Sequence, residues 1–177
     1  RWTEQRARAW QESRGWLCGF NFLPSSAVNS TEMWQSSTWD ETTIARELRW
    51  AQSIGFNCCR VFLQFLVWDD EGDEYVRRFE RFLQIANECG LQVMPILFDD
   101  CAFAGKEPHL GAQDEPVPGI HNSVWTPSPG FACADDKKIW PRLREYVQAF
   151  VTHFRDDARV SLWDLYNEPG NSERGDR

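Results

Sequence analysis

Residues 159–171 read RVSLWDLYNEPGN, and the order of residue types in this stretch decides the fold. An apolar run typical of a buried strand ends on Asn167 and Glu168, and Pro169 stops the strand at once. A carboxamide next to a carboxylate at such a position indicates either a chain turning into solvent or part of a functional site. The other strands of the chain decide between these two interpretations.

Three earlier segments have the same character, an apolar run that gives way to polar residues. They are residues 15–22, 57–65 and 91–98, which read GWLCGFNF, NCCRVFLQF and LQVMPILF. Between the strands, apolar residues recur at the spacing of a helix face in three further segments. These residues are Ile44, Leu48 and Ala51, then Tyr75, Phe79, Phe82 and Ala86, then Ile139, Leu143, Val147, Phe150 and Phe154. The predicted order is β-α-β-α-β-loop-α-β, with a long irregular segment after the third strand.

Residues at the predicted helix ends agree with this order. Asp40 stands at the N-cap position of the first helix, and Gly55 and Gly90 follow the first and second helices. Pro141 lies in the first turn of the third helix, the one part of a helix where proline is tolerated.

Strands that alternate with helices favour right-handed crossovers and a parallel sheet. Two architectures have this order, an open doubly wound sheet and the first half of a (β/α)8 barrel. The nucleotide-binding fingerprint GxGxxG of the open fold is absent after the first strand, where the chain reads GFNFLPS. A complete barrel takes about 250 residues. We therefore predict an α/β domain over residues 1–177, the N-terminal half of a (β/α)8 TIM barrel with about four βα units and its C-terminal half absent.

Two details of the strands carry expectations of their own. The strands are apolar runs without clean alternation, which predicts that both faces of the sheet are covered. Pro95 falls inside the third predicted strand, where it cannot donate to a ladder, so we expect a bulge or a late strand start there.

Charge and composition exclude several classes of partner. The chain of 177 residues carries 19 Lys plus Arg against 27 Asp plus Glu, a net charge of -8. This balance argues against nucleic acid and against an anionic membrane surface, and no apolar run has the length of a membrane span. The chain begins at Arg1 without an initiator Met, so export is left open and neither localisation nor oligomeric state is assigned.

The six Cys residues show no metal-binding pattern. None is in C-x-x-C spacing and none has a His pair nearby, so we predict no metal and no cofactor. Cys101 and Cys133 both fall in the long irregular segment, where they could form a disulfide, although we expect both to be reduced.

Polar residues collect at the predicted strand ends, which is where parallel α/β folds carry their function. Asp99 and Asp100 follow the third strand as groove-lining or hydrogen-bonding candidates, and Asn167 and Glu168 follow the fourth. Adjacent strand residues point to opposite faces, so both members of the last pair enter one site only if the strand is distorted there. Arg60 lies within the second strand, where a charge needs a partner. That partner is either Asp164 or another core carboxylate, in a folding role, or an ionised carboxylate of an active site.

The stretch SLWDLYNEPGN resembles the fourth-strand signature of the retaining glycoside hydrolases built on (β/α)8 barrels, the clan that includes the family 5 cellulases and mannanases. Residues 19–63, with GFNCCRVFL at their end, are similar to the first two βα units of cellulase-like members. The resemblance implies hydrolysis of a β-linked oligo- or polysaccharide, with Glu168 as general acid/base and Asn167 bound to a sugar hydroxyl. It also implies that Arg60 bonds to the nucleophile, a Glu on the seventh strand, beyond the 177 residues.

Further substrate contacts are candidates by residue type. Trp34, Trp39 and Trp125 would stack on sugar rings, and Glu32, with Asn29, would bind hydroxyls. Many family 5 enzymes carry a His near the end of the third strand, but this strand ends on LFDDC. His121 in the long loop is either folded over the groove in place of that His or an ordinary surface residue.

Two other functions fit the sequence less well. One is a carbohydrate-binding barrel that lacks a nucleophile and therefore has no activity. The other is an α/β domain in which Asn-Glu-Pro is accidental. The sequence does not choose between cellulose, mannan, xylan and a smaller glycoside.

Overall fold

A computed structural model of the chain describes residues 1–103 and 105–171. Four strands and seven helices occur in this part of the chain. They are α1 (Glu4–Arg14), β1 (Gly19–Phe22), α2 (Ser30–Trp34), α3 (Glu41–Ser53), β2 (Cys58–Phe62), α4 (Phe65–Glu71), α5 (Asp73–Glu88), β3 (Gln92–Asp99), α6 (Phe131–Asp135), α7 (Trp140–Phe154) and β4 (Asp164–Asn167).

The four strands form one parallel sheet in the order β1-β2-β3-β4. Arg60 of β2 is in register with Asn21 of β1, and Asp99 of β3 is in register with Asn167 of β4. The crossover helices α3, α5 and α7 connect consecutive strands, which confirms the predicted alternation. Because all strands run the same way, their carboxyl ends lie along one edge of the sheet.

The hydrophobic core lies between the sheet and one layer of helices. Phe79, Phe82 and Phe150 on the helices are fully buried against Cys59 and Val61 of β2. The intervening residues of the strands are mostly half-exposed, so burial alternates along β2 and β3. The prediction that both faces are covered is therefore wrong for the described residues, because helices cover only one of them.

Pro95 lies in the middle of β3, and the register with β2 continues through it without a bulge. Val93 N donates to Arg159 O and Val93 O accepts from Ser161 N, so alternate residues of β3 point their backbone groups towards β4. The backbone nitrogen of Pro95 also faces β4. It lies between the Val93–Val160 bridge and the pairing that starts at Asp164, where β3 and β4 are not paired. The expected bulge or late start is wrong, because the missing N–H falls where no ladder bond is needed.

The helix signals in the sequence are confirmed at two ends. Asp40 caps α3 by accepting a hydrogen bond from Thr43 N at 3.0 Å. Pro141 lies in the first turn of α7. Within the described residues, no helix has the length and hydropathy needed to cross a membrane.

Candidate functional site

A cavity of about 310 Å³ opens at the carboxyl ends of the four strands. Each strand contributes to its lining, and the long segment after β3 supplies the rest of the wall. The strand residues are Asn21 of β1, Arg60 and Phe62 of β2, Asp99 of β3 and Asn167 of β4, and the loop residues include Cys101, Phe103, His121, Asn122 and Trp125. Glu168 follows directly after β4 and also lines the cavity.

Asn167 and Glu168 enter this cavity together because the backbone changes conformation between them. Asn167 is the last residue of β4, and Glu168 has a φ of 46°, in the left-handed region that residues other than glycine rarely adopt. The left-handed backbone of Glu168 is thus the distortion that the sequence predicts if Asn167 and Glu168 are to enter one site. Such strain in a non-glycine residue is common at functional sites.

Arg60 is held by three side chains around the cavity. It donates to Asp164 Oδ2 through Nε at 3.2 Å and through Nη2, to Asn167 Oδ1 at 2.7 Å, and to Asn21 Oδ1 at 3.2 Å. Of the two predicted partners, Asp164 is therefore present, and the guanidinium also lines the cavity. The same Arg both neutralises a carboxylate within the sheet and orients the amide of Asn167.

Asp99 is a buried carboxylate that anchors two of the predicted site residues. Its Oδ1 accepts from Asn167 Nδ2 at 2.8 Å and from Cys101 N at 3.1 Å, and its Oδ2 accepts from Trp125 Nε1 at 2.7 Å. Burial raises the pKa of Asp99 above its ordinary value, while these donors act in the opposite direction. Asp99 fixes the amide and the indole that face the cavity.

Cys101 lies between Asn167 and Glu168. Its Sγ accepts from Asn167 Nδ2 at 3.4 Å and donates to Glu168 Oε2 at 3.3 Å. All six cysteines are free thiols, which agrees with the expectation that Cys101 and Cys133 are reduced. Glu168 Oε2 also accepts from Asn171 Nδ2 at 2.9 Å.

The long loop brings His121 and Trp125 to the cavity wall. His121 Nε2 accepts from Asn122 Nδ2 at 2.9 Å, and the imidazole lies edge-on to Phe103, with ring centroids 5.9 Å apart. Trp125 meets Phe62 edge-on at 4.9 Å. Of the two alternatives for His121, the structure places it over the groove, although it remains exposed.

Three predicted substrate contacts lie elsewhere. Trp34 has no exposed surface and donates from Nε1 to Phe62 O at 2.6 Å, so it is a core residue. Trp39 stacks on Trp34 at 5.6 Å and packs against the same core. Glu32 accepts from Val28 N and belongs to the cap of α2, in which Asn29 Oδ1 accepts from Glu32 N. These placements correct the predictions for Trp34, Trp39 and Glu32, because each side chain is occupied by packing or capping.

The cavity contains residues that the site prediction omitted, among them Phe103 and Cys101. It also contains Asn21, which the sequence indicates as a polar residue at the end of the first strand. From the sequence, Cys101 is only a disulfide candidate with Cys133, and nothing in its sequence neighbourhood indicates its contact with Glu168. Among the described residues no group of three or more His, Cys, Asp or Glu is arranged to hold a metal ion.

One solved structure with a similar fold supports the architecture. A single-residue variant of the GH5_18 protein from Bifidobacterium longum subsp. longum ATCC 55813, in complex with Manβ1-4GlcNAc, aligns at a TM-score of 0.53 and 16% identity. The alignment covers 87% of this chain and 36% of that one. The chain has the fold of half a (β/α)8 barrel. The predicted fold class is thereby confirmed.

Two further structures are mannanases of Thermotoga petrophila. The hyperthermostable endo-1,4-β-D-mannanase of strain RKU-1, with maltose and glycerol, aligns at a TM-score of 0.47 and 14% identity, over 86% of this chain and 45% of that one. An endo-β-1,4-mannanase aligns at a TM-score of 0.45 and 15% identity, over 86% of this chain and 34% of that one. The half-barrel thus spans less than half the length of each of these proteins. No protein-family model and no curated protein matches the sequence.

Proposed function

We propose that the half-barrel belongs to a retaining β-glycoside hydrolase in which Glu168 is the general acid/base. The observation that carries this proposal is the left-handed conformation of Glu168, which directs its carboxyl group into the same cavity as Asn167. Catalytic residues of (β/α)8 barrels lie at the carboxyl ends of the strands, and strained backbone conformations cluster at functional sites, so the placement of Glu168 supports an acid/base role. Arg60 and Trp125 line the same cavity and supply a fixed polar and aromatic wall.

In the first step, a carboxylate attacks the anomeric carbon of the bound sugar and the glycosidic C–O bond breaks. Glu168, protonated at that moment, transfers its proton to the departing oxygen, so that a neutral alcohol leaves. In the second step, ionised Glu168 takes a proton from water as the water attacks the anomeric carbon. The bond to the nucleophile breaks, its carboxylate is released, and Glu168 is protonated again.

The described carboxylates closest to this chemistry are poor candidates for the nucleophile. Asp164 is engaged by Arg60, and Asp99 is buried beneath Trp125 and Asn167. The resemblance to the retaining (β/α)8-barrel glycoside hydrolases implies instead a Glu on the seventh strand of the completed barrel, and we propose that residue as the nucleophile. A retaining mechanism places it about 5–5.5 Å from Glu168.

The remaining cavity residues would bind the sugar. Asn167 keeps its amide fixed by Arg60 and Asp99, so it presents a defined polar edge to the hydroxyl next to the cleaved bond. Trp125, held by Asp99, is only 6% exposed and would contact the sugar through the part of its ring that lines the cavity, and His121 would reach a hydroxyl from the loop. The substrate is a β-linked oligo- or polysaccharide. We take β-mannosides as the class to test first, since the GH5_18 protein with this fold was solved with Manβ1-4GlcNAc.

The test is Glu168→Ala in the protein extended through the remaining barrel strands, with two kinds of substrate. Cleavage of a β-mannooligosaccharide needs the proton, so its rate should fall roughly 10²–10⁴-fold. Dinitrophenolate departs from a dinitrophenyl β-mannoside without being protonated, so the first step on this substrate should survive in Glu168→Ala. The variant should then give a burst of dinitrophenol before slow turnover. Glu115→Ala, which removes an exposed carboxylate of the long loop, is the matched control and should leave both rates unchanged.

Equal loss on both substrates without a burst would show that Glu168 is not the acid/base. If the wild-type extended protein binds the oligosaccharide and cleaves neither substrate, it is instead a carbohydrate-binding barrel without activity. Binding is measured by calorimetry under the conditions of the rate assay.

A further inference from the structure

A short chain of hydrogen bonds connects the end of β3 to the end of β4. It runs from the side chain of Asn167 through Cys101 to Glu168. Asn167 Nδ2 donates to Cys101 Sγ at 3.4 Å, and Cys101 Sγ donates to Glu168 Oε2 at 3.3 Å. The backbone N of Cys101 donates to Asp99 Oδ1 at 3.1 Å, and Asn167 donates to the same oxygen at 2.8 Å. The sulfur therefore accepts one hydrogen bond, from Asn167, and donates to Glu168 Oε2, while the carboxylate of Asp99 also interacts with the thiol.

The surroundings of Cys101 keep its thiol protonated. Burial, and then the negative charge of Asp99 and the contact with Glu168, raise the pKa of the Cys101 thiol far above its ordinary value. A thiolate is the form that acts as a nucleophile, so this cysteine is not poised for attack. An S–H group in this position is a donor to the carboxylate beside it.

Both hydrogen bonds that the described residues donate to the side-chain carboxylate of Glu168 go to the same oxygen. Oε2 accepts from Cys101 Sγ and from Asn171 Nδ2, and the described residues place no hydrogen-bond donor on Oε1. The oxygen that receives donors is the poorer place for a proton. Oε1 is therefore the oxygen that carries the proton when the carboxyl group is neutral.

We propose that Cys101 is a positioning residue for Glu168, whose S–H bond to Oε2 holds the carboxyl group so that Oε1 delivers the catalytic proton. This proposal rests on the proposed function of Glu168. It differs from the role of a packing residue, because it concerns the proton-transfer step alone. A loss of the thiol should matter only when the leaving group needs a proton.

The test compares kcat/KM, which reports the first step, for the β-mannooligosaccharide and the dinitrophenyl β-mannoside in Cys101→Ala. We expect a roughly three- to tenfold fall for the oligosaccharide, the effect of one modest hydrogen bond, and no change for the dinitrophenyl substrate. Cys101→Ser keeps a donor and should recover at least half of the loss. The ratio of the two kcat/KM values is independent of the fraction of folded enzyme, so partial unfolding does not imitate the result.

Cys133→Ala is the matched control, since Cys133 is a free thiol on α6 with no contact to the cavity. The proposal is overturned if Cys101→Ala lowers both kcat/KM values equally or if Cys101→Ser restores nothing. Glu168→Ala is measured in parallel. A burst in Glu168→Ala together with an unchanged ratio in Cys101→Ala refutes the role of Cys101 alone, whereas the absence of a burst refutes the proposed function itself.

Discussion

At the scale of single residues, Arg60 is the centre of the hydrogen-bond network. Its guanidinium donates to three side chains, one on β1 and two on β4. Nη1 donates to Asn21, Nε donates to Asp164, and Nη2 donates to both Asp164 and Asn167. The side chains of Arg60 and Asp164 are 24% and 25% exposed, so water screens their attraction in part. The value of Arg60 therefore lies more in fixing Asn167 than in the ion pair.

Arg60→Lys tests whether Arg60 acts mainly by positioning Asn167 or by its ion pair with Asp164. Lysine keeps the charge for Asp164 but lacks the fork that reaches Asn167 and Asn21. We expect kcat in the extended protein to fall roughly 10²-fold, the usual effect of a misplaced substrate-binding group. The free energy of unfolding should change by less than about 1 kcal/mol. Arg77→Lys, in the exposed pair with Glu74, is the control, and an equal proportional loss of stability and activity would make Arg60 a folding residue only.

Asp99 gives the site a pH-dependent contribution to stability. Burial raises its pKa above the ordinary value of 3.8, so folding favours the protonated form. The stability that Asp99 contributes is fully present below its ordinary pKa and is lost as the pH rises through the raised pKa. Comparison of the wild type with Asp99→Asn by urea unfolding at several pH values between about 4 and 7 measures this change.

The amide in Asp99→Asn changes the hydrogen bonds to Trp125 and Asn167 by an amount that does not vary with pH. The slope of the stability difference is therefore the informative quantity. The wild type should lose stability relative to Asp99→Asn as the pH rises. A gain over the same range would mean that the three donors outweigh burial.

Position at the end of the fourth strand was enough to predict Asn167 and Glu168 as site residues, and both line the cavity. Arg60, predicted as a charge inside the second strand, and Trp125, predicted by residue type in the long loop, line the same cavity. Their catalytic and binding roles remain predictions. Cys101 could not be recognised, because its role depends on two residues that lie 66 and 67 positions away along the chain. Residue type alone could not tell Trp34 from Trp125, since the acceptor for each indole N–H comes from a distant strand.

At the scale of elements, α2 shows why an aromatic residue in a polar loop is ambiguous. Trp34 ends this short helix and meets Trp39, Tyr75 and Phe82 within 5.6 Å between ring centroids. The strands and the long helices were predictable because their apolar period is repeated over many residues. A helix of five residues offers no such repeat.

Trp34→Ala should therefore destabilise the protein without weakening substrate binding. We expect a loss of about 3–5 kcal/mol, the usual cost of removing a buried aromatic ring. Measured in the extended protein, KM for the oligosaccharide should be unchanged wherever the variant is folded. Trp50→Ala, on the exposed side of α3, should cost less than about 0.5 kcal/mol. A raised KM with intact stability would return Trp34 to the binding site.

At the scale of the whole molecule, β1 and β4 are the edge strands of the sheet formed by the described residues. A cavity of about 790 Å³ lies beside β4 and is lined by apolar side chains including Phe98, Leu143, Val147 and Tyr166. Leu165 of β4 is 68% exposed. An open edge and a large apolar surface favour association. The edge of β4 and the apolar cavity beside it lie where the next strand and helix of a completed barrel would cover them.

We therefore expect residues 1–177, expressed alone, to self-associate and to lack glycosidase activity. The protein extended through the remaining strands should be monomeric at the same concentration and active. Size-exclusion chromatography with light scattering, thermal unfolding and a sugar-release assay compare the two. A monomeric fragment with a sharp thermal transition and activity of its own would contradict the half-barrel interpretation.

The most direct measurement of the central proposal is azide rescue of Glu168→Ala in the extended protein. Azide needs no general base, so it should attack the accumulated glycosyl-enzyme and raise turnover of the dinitrophenyl β-mannoside. Two inversions give net retention, so nuclear magnetic resonance of the product should show a β-glycosyl azide. An α-glycosyl azide would indicate a single displacement, and no rescue at any azide concentration would mean that Glu168 is not the acid/base.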